Sequence, residues 1–157
     1  MFSDIGAAGV IIFNVNNDIQ TVIVTGKKRN HSFPKGKLEK NETILNCAIR
    51  ELYEETGILR ENINLIKNGE IYWDEFNGGN KPNIRYYLGI YNNSSHNFLY
   101  DKNELTNVFW ENAENVSINL RMRDNRKYIY NQVYNYLLEL NLKKQKVNYR
   151  VNDIKEL

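Results

Sequence analysis

The sequence has little of what marks special environments: of its 157 residues, one is cysteine, two are histidine and two are proline. A single thiol, Cys47, cannot form an intramolecular disulfide framework, and such a chain is expected in the cytoplasm or another reducing intracellular compartment. Cys47 lies among regularly spaced apolar residues, which predicts a buried small hydrophobe rather than a nucleophile. His31 and His96 both fall in polar stretches, so no histidine pair has the spacing of a metal site. No apolar run approaches the roughly 20 residues of a membrane span. The first residues also lack the basic, apolar and cleavage regions of a secretion signal. An excess of either charge is missing too: 21 Lys and Arg against 19 Asp and Glu leave a net charge of +2. That balance by itself announces no nucleic-acid binder, and any basic footprint must be local.

What is present is an ordinary globular composition, 41% apolar and 25% charged. It is enough for one domain with a substantial core, expected over residues 1–145, followed by a charged tail at 146–157. Residues 143–157 are expected to be loosely ordered. Residues 7–13 and 20–25 read as a hairpin around a turn at 14–18. Further strands are predicted over 69–73, 84–91 and 106–110. A flexible turn at 77–80 is closed by Pro82, and 92–102 reads as a loop. Residues 124–144 are predicted helical, with Ile129, Val133, Tyr136, Leu137 and Leu140 on one stripe. The pattern supports a single α/β or α+β domain.

One stretch carries chemistry. Residues 36–58 read GKLEKNETILNCAIRELYEETGI. Ile44, Leu45, Ala48, Ile49 and Leu52 form the apolar stripe of an amphipathic helix of about four turns, with Asn41 as predicted N-cap and Gly57 closing its end. On that helix Glu51 lies three and four residues before Glu54 and Glu55, so three carboxylates cluster. Two of them sit near the helix C-terminus, where the dipole disfavours anions. A purely structural helix gains nothing from this. A hard divalent cation offsets the repulsion, because Mg2+ prefers carboxylate and phosphate oxygens. Arg50, four residues before Glu54, can brace one carboxylate.

The fixed letters are Gly36, Glu42, Arg50, Glu51, Glu54, Glu55 and Gly57, with aliphatic Leu52 and Ile58 between and after them. This stretch resembles the Nudix box at every fixed position, a coincidence expected about once in 10^8 to 10^9 windows. The resemblance implies a Nudix α/β/α sandwich with a mixed sheet and a C-terminal helix. It also implies hydrolysis of a phosphoanhydride bond in a nucleoside diphosphate linked to another moiety, with Mg2+ or Mn2+ as cofactor. Glu51, Glu54 and Glu55 then match the metal-binding carboxylates, and the Lys35 carbonyl matches a backbone ligand aimed by a turn at Gly36. Arg50 matches the orienting arginine, with Glu42 as its structural partner. Glu54, Glu51, Arg50 and Glu104 form the expected catalytic set, Glu104 being a candidate general base with Asp101 and Glu111 as rivals.

The run FPKGKLEKNE, followed by CAIRELYEETG, looks like the mRNA-decapping subfamily. That implies cleavage of the 5′ cap to release 7-methyl-GDP, with capped RNA as partner. Basic runs at 27–29, 35–37, 121–127 and 143–150 could follow an RNA backbone. Lys35, Lys37, Lys27, Arg29 and Tyr87 are the expected substrate contacts. Tyr72, Trp73 and Phe76 are further aromatic faces for a base. At this length the chain is expected to lack the separate regulatory domain of the eukaryotic decapping enzyme. The alternative is a hydrolase of diadenosine polyphosphates or diphosphoinositol polyphosphates. A catalytically silent nucleotide- or RNA-binding module is the non-enzymatic alternative, and such a module usually loses carboxylates that are intact here. The oligomeric state is left open.

Overall fold

The computed structural model describes residues 4–93 and 96–156, with side chains through Asn141. One long strand organises them. β1 (Ile5–Asn14) is apolar on both faces, as a strand covered on both sides must be. Ala8, Val10 and Ile12 point into one core cluster, and Ala7, Ile11 and Phe13 into another. The first cluster is closed by α1 (Ile44–Thr56) through Cys47, Ala48 and Leu52. The second is closed by α3 (Asp124–Glu156) through Ile129, Tyr130, Val133 and Leu137. The result is the expected α/β/α sandwich.

The sheet is mixed. β7 (Asn83–Tyr91) runs parallel to β1 over almost its whole length, and every other pairing is antiparallel. The remaining strands are β2 (Gln20–Gly26), β3 (His31–Ser32), β4 (Lys35–Lys37), β5 (Ile63–Leu65), β6 (Tyr72–Glu75) and β8 (Leu105–Asn112). The predicted 7–13 and 20–25 hairpin exists only beside its turn, where Phe13 meets Thr21 and Asn14 meets Gln20. Beyond that, β2 no longer pairs with β1; β8 accompanies β2 from Gln20 to Gly26, and β3 pairs with Val24 and Thr25. The edge of β1 so released is taken by β4, with Ala8 opposite Gly36 and Gly9 opposite Lys35. The sheet therefore parts where the glycine loop enters.

Several local expectations are corrected. The N-cap is Thr43, whose Oγ1 accepts from the Asn46 N–H at 3.1 Å. Asn41, the residue expected there, adopts a left-handed φ of 64° in the preceding turn. Gly36 makes no turn; it is a strand residue. The short strands β3, β4 and β5 are absent from the sequence reading, being too brief to show a period. The 77–80 turn is tied by the Asn77 side chain, which accepts from Arg123 and Asn125. α3 continues to Glu156, past the expected end at 144. The side chains of the 143–150 basic run lie outside the described residues. Among the described residues no helix is long and apolar enough to cross a membrane.

α3 is locked to the sheet by one buried ion pair. Arg126 Nε and Nη2 donate to Glu75 Oε1 and Oε2 at 2.9 and 3.0 Å, with Glu75 1% and Arg126 7% exposed. The Tyr86 hydroxyl donates to the same carboxylate at 3.3 Å. Removing one partner leaves a buried charge. Arg126→Ala is expected to cost about 3–5 kcal/mol, whereas the volume-matched pair Arg126→Met with Glu75→Leu recovers most of it. Urea unfolding of the three proteins measures both.

Candidate active site

The site is assembled by Arg50. Its Nε and Nη2 grip both oxygens of Glu42 at 2.7 and 3.0 Å, and Nη2 also donates to the Lys37 carbonyl at 2.9 Å. Nη1 reaches Glu51 at 2.9 Å and Glu54 at 3.1 Å. The guanidinium hydrogen bond, more than any other influence, pulls the Glu42 carboxyl down to about 2. Glu42 is thus a lasting counter-charge to Arg50.

Gly36 is glycine because of Glu51. A Cβ at residue 36 would overlap the Glu51 carboxylate. The requirement is for close approach across β4, and no positive φ is involved. Gly57 serves the other purpose: it sits at φ 81° and its N–H closes the helix onto the Tyr53 carbonyl at 2.8 Å.

The three glutamates occupy different environments. Glu54 is half exposed, with 51% of its side chain accessible, against 14% for Glu51. Glu55 accepts the Lys35 N–H at 2.7 Å. Burial pushes its carboxyl up to about 7, against the pull of that hydrogen bond, and Glu51 and Glu104 add to the rise. Burial likewise raises Glu51 despite its bond to Arg50. One oxygen of each glutamate is engaged, and the other accepts no hydrogen bond among the described residues. In this conformation the described residues bring no three ligands to one ion-sized point; Arg50 draws two of the glutamates to itself. By chemistry the donor set fits Mg2+ or Mn2+. It offers three open hard oxygens, one on each of three clustered carboxylates.

The later-loop candidates separate clearly. The Glu104 charge acts on both Glu51 and Glu55, so it faces the cluster. Glu111 acts on His31 and Tyr130 instead. Asp101 is held in its own turn by the Asn103 N–H. His96, read from sequence only as a loop residue, bonds the Thr56 carbonyl at 2.8 Å alongside the Leu99 N–H. The loop that leads to Glu104 is thereby pinned to the end of α1. No sequence period signals such a contact, made across 40 positions.

Of the expected substrate contacts, Lys35 and Lys37 line a cavity of about 200 Å³ beside the box, together with Lys81, Arg123 and Arg126. Lys27 and Arg29 lie outside it; Lys27 donates to the Lys102 carbonyl, and Arg29 turns with φ 64°. Tyr87 is corrected: it is 4% exposed, edge-on to Tyr72, and its ring belongs to the core. Tyr72 is exposed, but Arg85 covers one of its faces at 3.7 Å.

A family model for the NUDIX domain matches residues 5–133. The chain belongs to the Nudix hydrolase family. Among curated relatives of this Nudix domain, the mRNA-decapping protein g5R of African swine fever virus (a Namibian warthog isolate) is 30% identical over 113 residues. That match covers 66% of this chain and 46% of the viral protein. The mRNA decapping complex subunit 2 of Schizosaccharomyces pombe is 55% identical over 40 residues, 24% of this chain and 5% of the relative. The chain thus spans less than half the length of these relatives. Among solved structures, an Ap4A hydrolase binary complex from C. elegans superposes with a TM-score of 0.72. It is 21% identical, over 86% of this chain and 98% of the other, a likeness of fold.

Two outcomes follow from the Nudix geometry. Gly36→Ala is expected to displace Glu51 and weaken Mn2+ binding about tenfold or more. Combined with Glu51→Ala it should cost little further stability, because the overlap is gone; thermal melts of single and double variants check this. The second concerns pH. Glu55 titrates near 7, above its ordinary 4.5. Without metal, the contribution of Glu55 to stability is therefore fully present below its ordinary 4.5 and is lost as pH rises through about 7. Mn2+ competes with that proton, so its affinity should rise about tenfold per unit from pH 5 to 7 and level off above. Calorimetry measures the slope, which Glu55→Gln should abolish.

Proposed function

We propose that this Nudix chain is a divalent-metal-dependent pyrophosphohydrolase and that its substrate is the 5′ cap of mRNA, cleaved to 7-methyl-GDP and 5′-monophosphate RNA. One observation carries the choice of substrate. The identity to the fission-yeast decapping subunit is 55% over 40 residues, and the longer viral match, 30% over 113 residues, is to a decapping protein too.

Glu51, Glu54 and Glu55 would hold the ion, with the Lys35 carbonyl as a backbone ligand. The chemistry gained from a bound Mg2+ or Mn2+ is Lewis acidity toward phosphate oxygens and toward water. The chain's own residues do the rest. Arg50 fixes where Glu51 and Glu54 stand, and Glu42 keeps Arg50 in place. Gly36 lets Glu51 approach β4. Lys35 and Lys37 steady the polyphosphate. Glu104, facing the cluster from a pinned loop, takes the proton of the attacking water, with Glu54 as the alternative. The second reading, a diadenosine or diphosphoinositol polyphosphate hydrolase, is favoured by the fold likeness to the C. elegans Ap4A hydrolase.

The test offers long capped RNA, cap dinucleotide, diadenosine tetraphosphate and a diphosphoinositol phosphate in parallel with Mg2+ or Mn2+, with products identified by mass. Release of 7-methyl-GDP from capped RNA is expected, lowered about 10^2-fold or more in kcat by Glu54→Gln and by Glu104→Gln. Turnover of the small molecules with capped RNA untouched would replace the decapping reading by the second one. Undiminished turnover in Glu54→Gln would remove the site assignment.

A further inference from the structure

The last carbonyls of a helix find no partner within it, and a buried one must be satisfied from outside. At the end of α1, Thr56 is fully buried. Its Oγ1 turns back to donate to the Leu52 carbonyl at 2.6 Å, while the Gly57 N–H takes the Tyr53 carbonyl. The Thr56 carbonyl is left to a distant part of the chain. It accepts from His96 Nε2 at 2.8 Å and from the Leu99 N–H at 3.0 Å. Because a carbonyl only accepts, His96 carries a proton on Nε2. Thr56 directly follows Glu55, so the contact is made one residue past the glutamates.

The histidine ring is held from several sides. It stands edge-on to Tyr91 at 5.7 Å and to Phe98 at 5.2 Å. Trp110 lies within 5.8 Å of both neighbours, and Tyr91, Phe98 and Trp110 all pack on the core beneath α1. Gly57 leaves room for this segment. A Cβ there would come within 3.2 Å of Leu99 Cβ and 3.6 Å of His96 Nε2.

A short run of chain leads from this anchor to Glu104. The turn that carries Glu104 is closed on itself: the Asp101 carbonyl accepts from the Glu104 and Leu105 N–H groups, both at 3.0 Å. Lys27 Nζ donates to the Lys102 carbonyl, and Leu105 enters β8 opposite Gly26. The turn is therefore one unit, tied to β2 on one side and, through His96 and Leu99, to α1 on the other. The second tie works against a force. Glu104 faces Glu51 and Glu55, and like charges drive such a turn away from the cluster until a cation joins them.

We propose that His96 is the positioning residue for Glu104: its hydrogen bond to the Thr56 carbonyl straps the turn that carries the general base to the end of the metal-binding helix, so that base and glutamates keep one spacing. The assignment rests on the pyrophosphohydrolase reading with Glu104 as base. A base must lie within hydrogen-bond reach of the water it deprotonates, and a misplacement of about 1 Å costs up to about 10^2-fold in rate. His96 itself touches neither water nor substrate in this role.

Two variants separate the donor from the ring. His96→Phe keeps a ring and removes the donor; His96→Gln keeps an N–H donor and removes the ring. Turnover is followed on whichever of capped RNA and diadenosine tetraphosphate is cleaved. His96→Phe should lower kcat about tenfold with KM changed less than about twofold, and His96→Gln should restore most of it. In a Glu104→Gln background His96→Phe should have no further effect on kcat, since both changes remove one function. An equal further loss there, or His96→Gln as damaging as His96→Phe, would overturn the proposal. Full kcat in His96→Phe with Glu104→Gln impaired would remove the strap and leave the base. Undiminished kcat in Glu104→Gln alone would remove the base, and the role of His96 with it.

Amide exchange reads the strap without turnover. The Leu99 N–H shares the Thr56 carbonyl and should exchange about tenfold faster in His96→Phe than in His96→Gln. The Cys47 N–H, bonded to the Thr43 carbonyl at the other end of α1, should not change. Unchanged exchange at Leu99, or equal acceleration at Leu99 and Cys47, would overturn the strap even where no pyrophosphate is cleaved. If melting shows His96→Phe to be misfolded, His96→Leu takes its place.

Discussion

Everything at the candidate site depends on one guanidinium. Three glutamates within five residues at the end of a helix repel one another and face the negative end of the helix dipole. Arg50 makes the arrangement tolerable by touching two of them, but an arginine that did only this would be drawn into the cluster it serves. Glu42 prevents that by taking the other edge of the fork. The bond from Nη2 to the Lys37 carbonyl extends the hold to the loop that carries Lys35 and Gly36. A single side chain thereby sets the spacing between the helix carboxylates and the backbone that faces them. A lysine could not do this, having no planar fork to divide among four acceptors.

The sheet supplies the other half of the geometry. Had β2 stayed paired with β1 along its length, no edge would remain for β4, and the glycine loop would lie outside the sheet. β2 parts from β1 after two residue pairs, while β8 stays paired with β2 along its whole length. β4 fills the vacated edge, and the Pro34 carbonyl accepts the Val10 N–H at 3.2 Å. Two glycines make the fit possible. A Cβ on Gly9 would overlap the Pro34 carbonyl, as one on Gly36 would overlap Glu51. The close approaches are stacked, strand on strand and then helix on strand, and they leave the Lys35 N–H aimed at Glu55.

How much of this was legible depended on whether a feature repeats in the sequence. The α1 and α3 stripes, β1, β7 and the αL end at Gly57 all follow from periodicity or from one residue's conformational preference, and they were readable. The box was readable because its seven letters are fixed in spacing. What escaped was set by partners distant in the chain. Asn41 and Thr43 are equally good caps by type, and only the turn before the helix decides between them. The residue type at Gly36 suggests only a conformational role, because its neighbour in space, Glu51, is 15 positions away. Sequence alone leaves Tyr87 a free face, because it does not show that Tyr72 of β6 and the core under α1 cover the ring. The Arg126–Glu75 pair joins a strand and a helix 51 positions apart, and neither residue stands out locally.

The small net charge takes on a different meaning once the charges are placed. Acids gather at one end of α1 and bases at the start of α3, with Lys35 between them, half-buried and touched by the fields of Glu55 and Glu75 on one hand and Arg123 and Arg126 on the other. Burial and the neighbouring arginines lower the proton affinity of that lysine, and the glutamates restore part of it. The small total of +2 is then the sum of two opposed fields that meet at the residue whose backbone N–H holds Glu55. A substrate carrying several phosphates sees the separation and not the sum. Its cleaved pyrophosphate needs a cation to approach the glutamates, while the remainder finds cations already in place. The fields therefore orient such a molecule before any contact specific to its base or sugar is made.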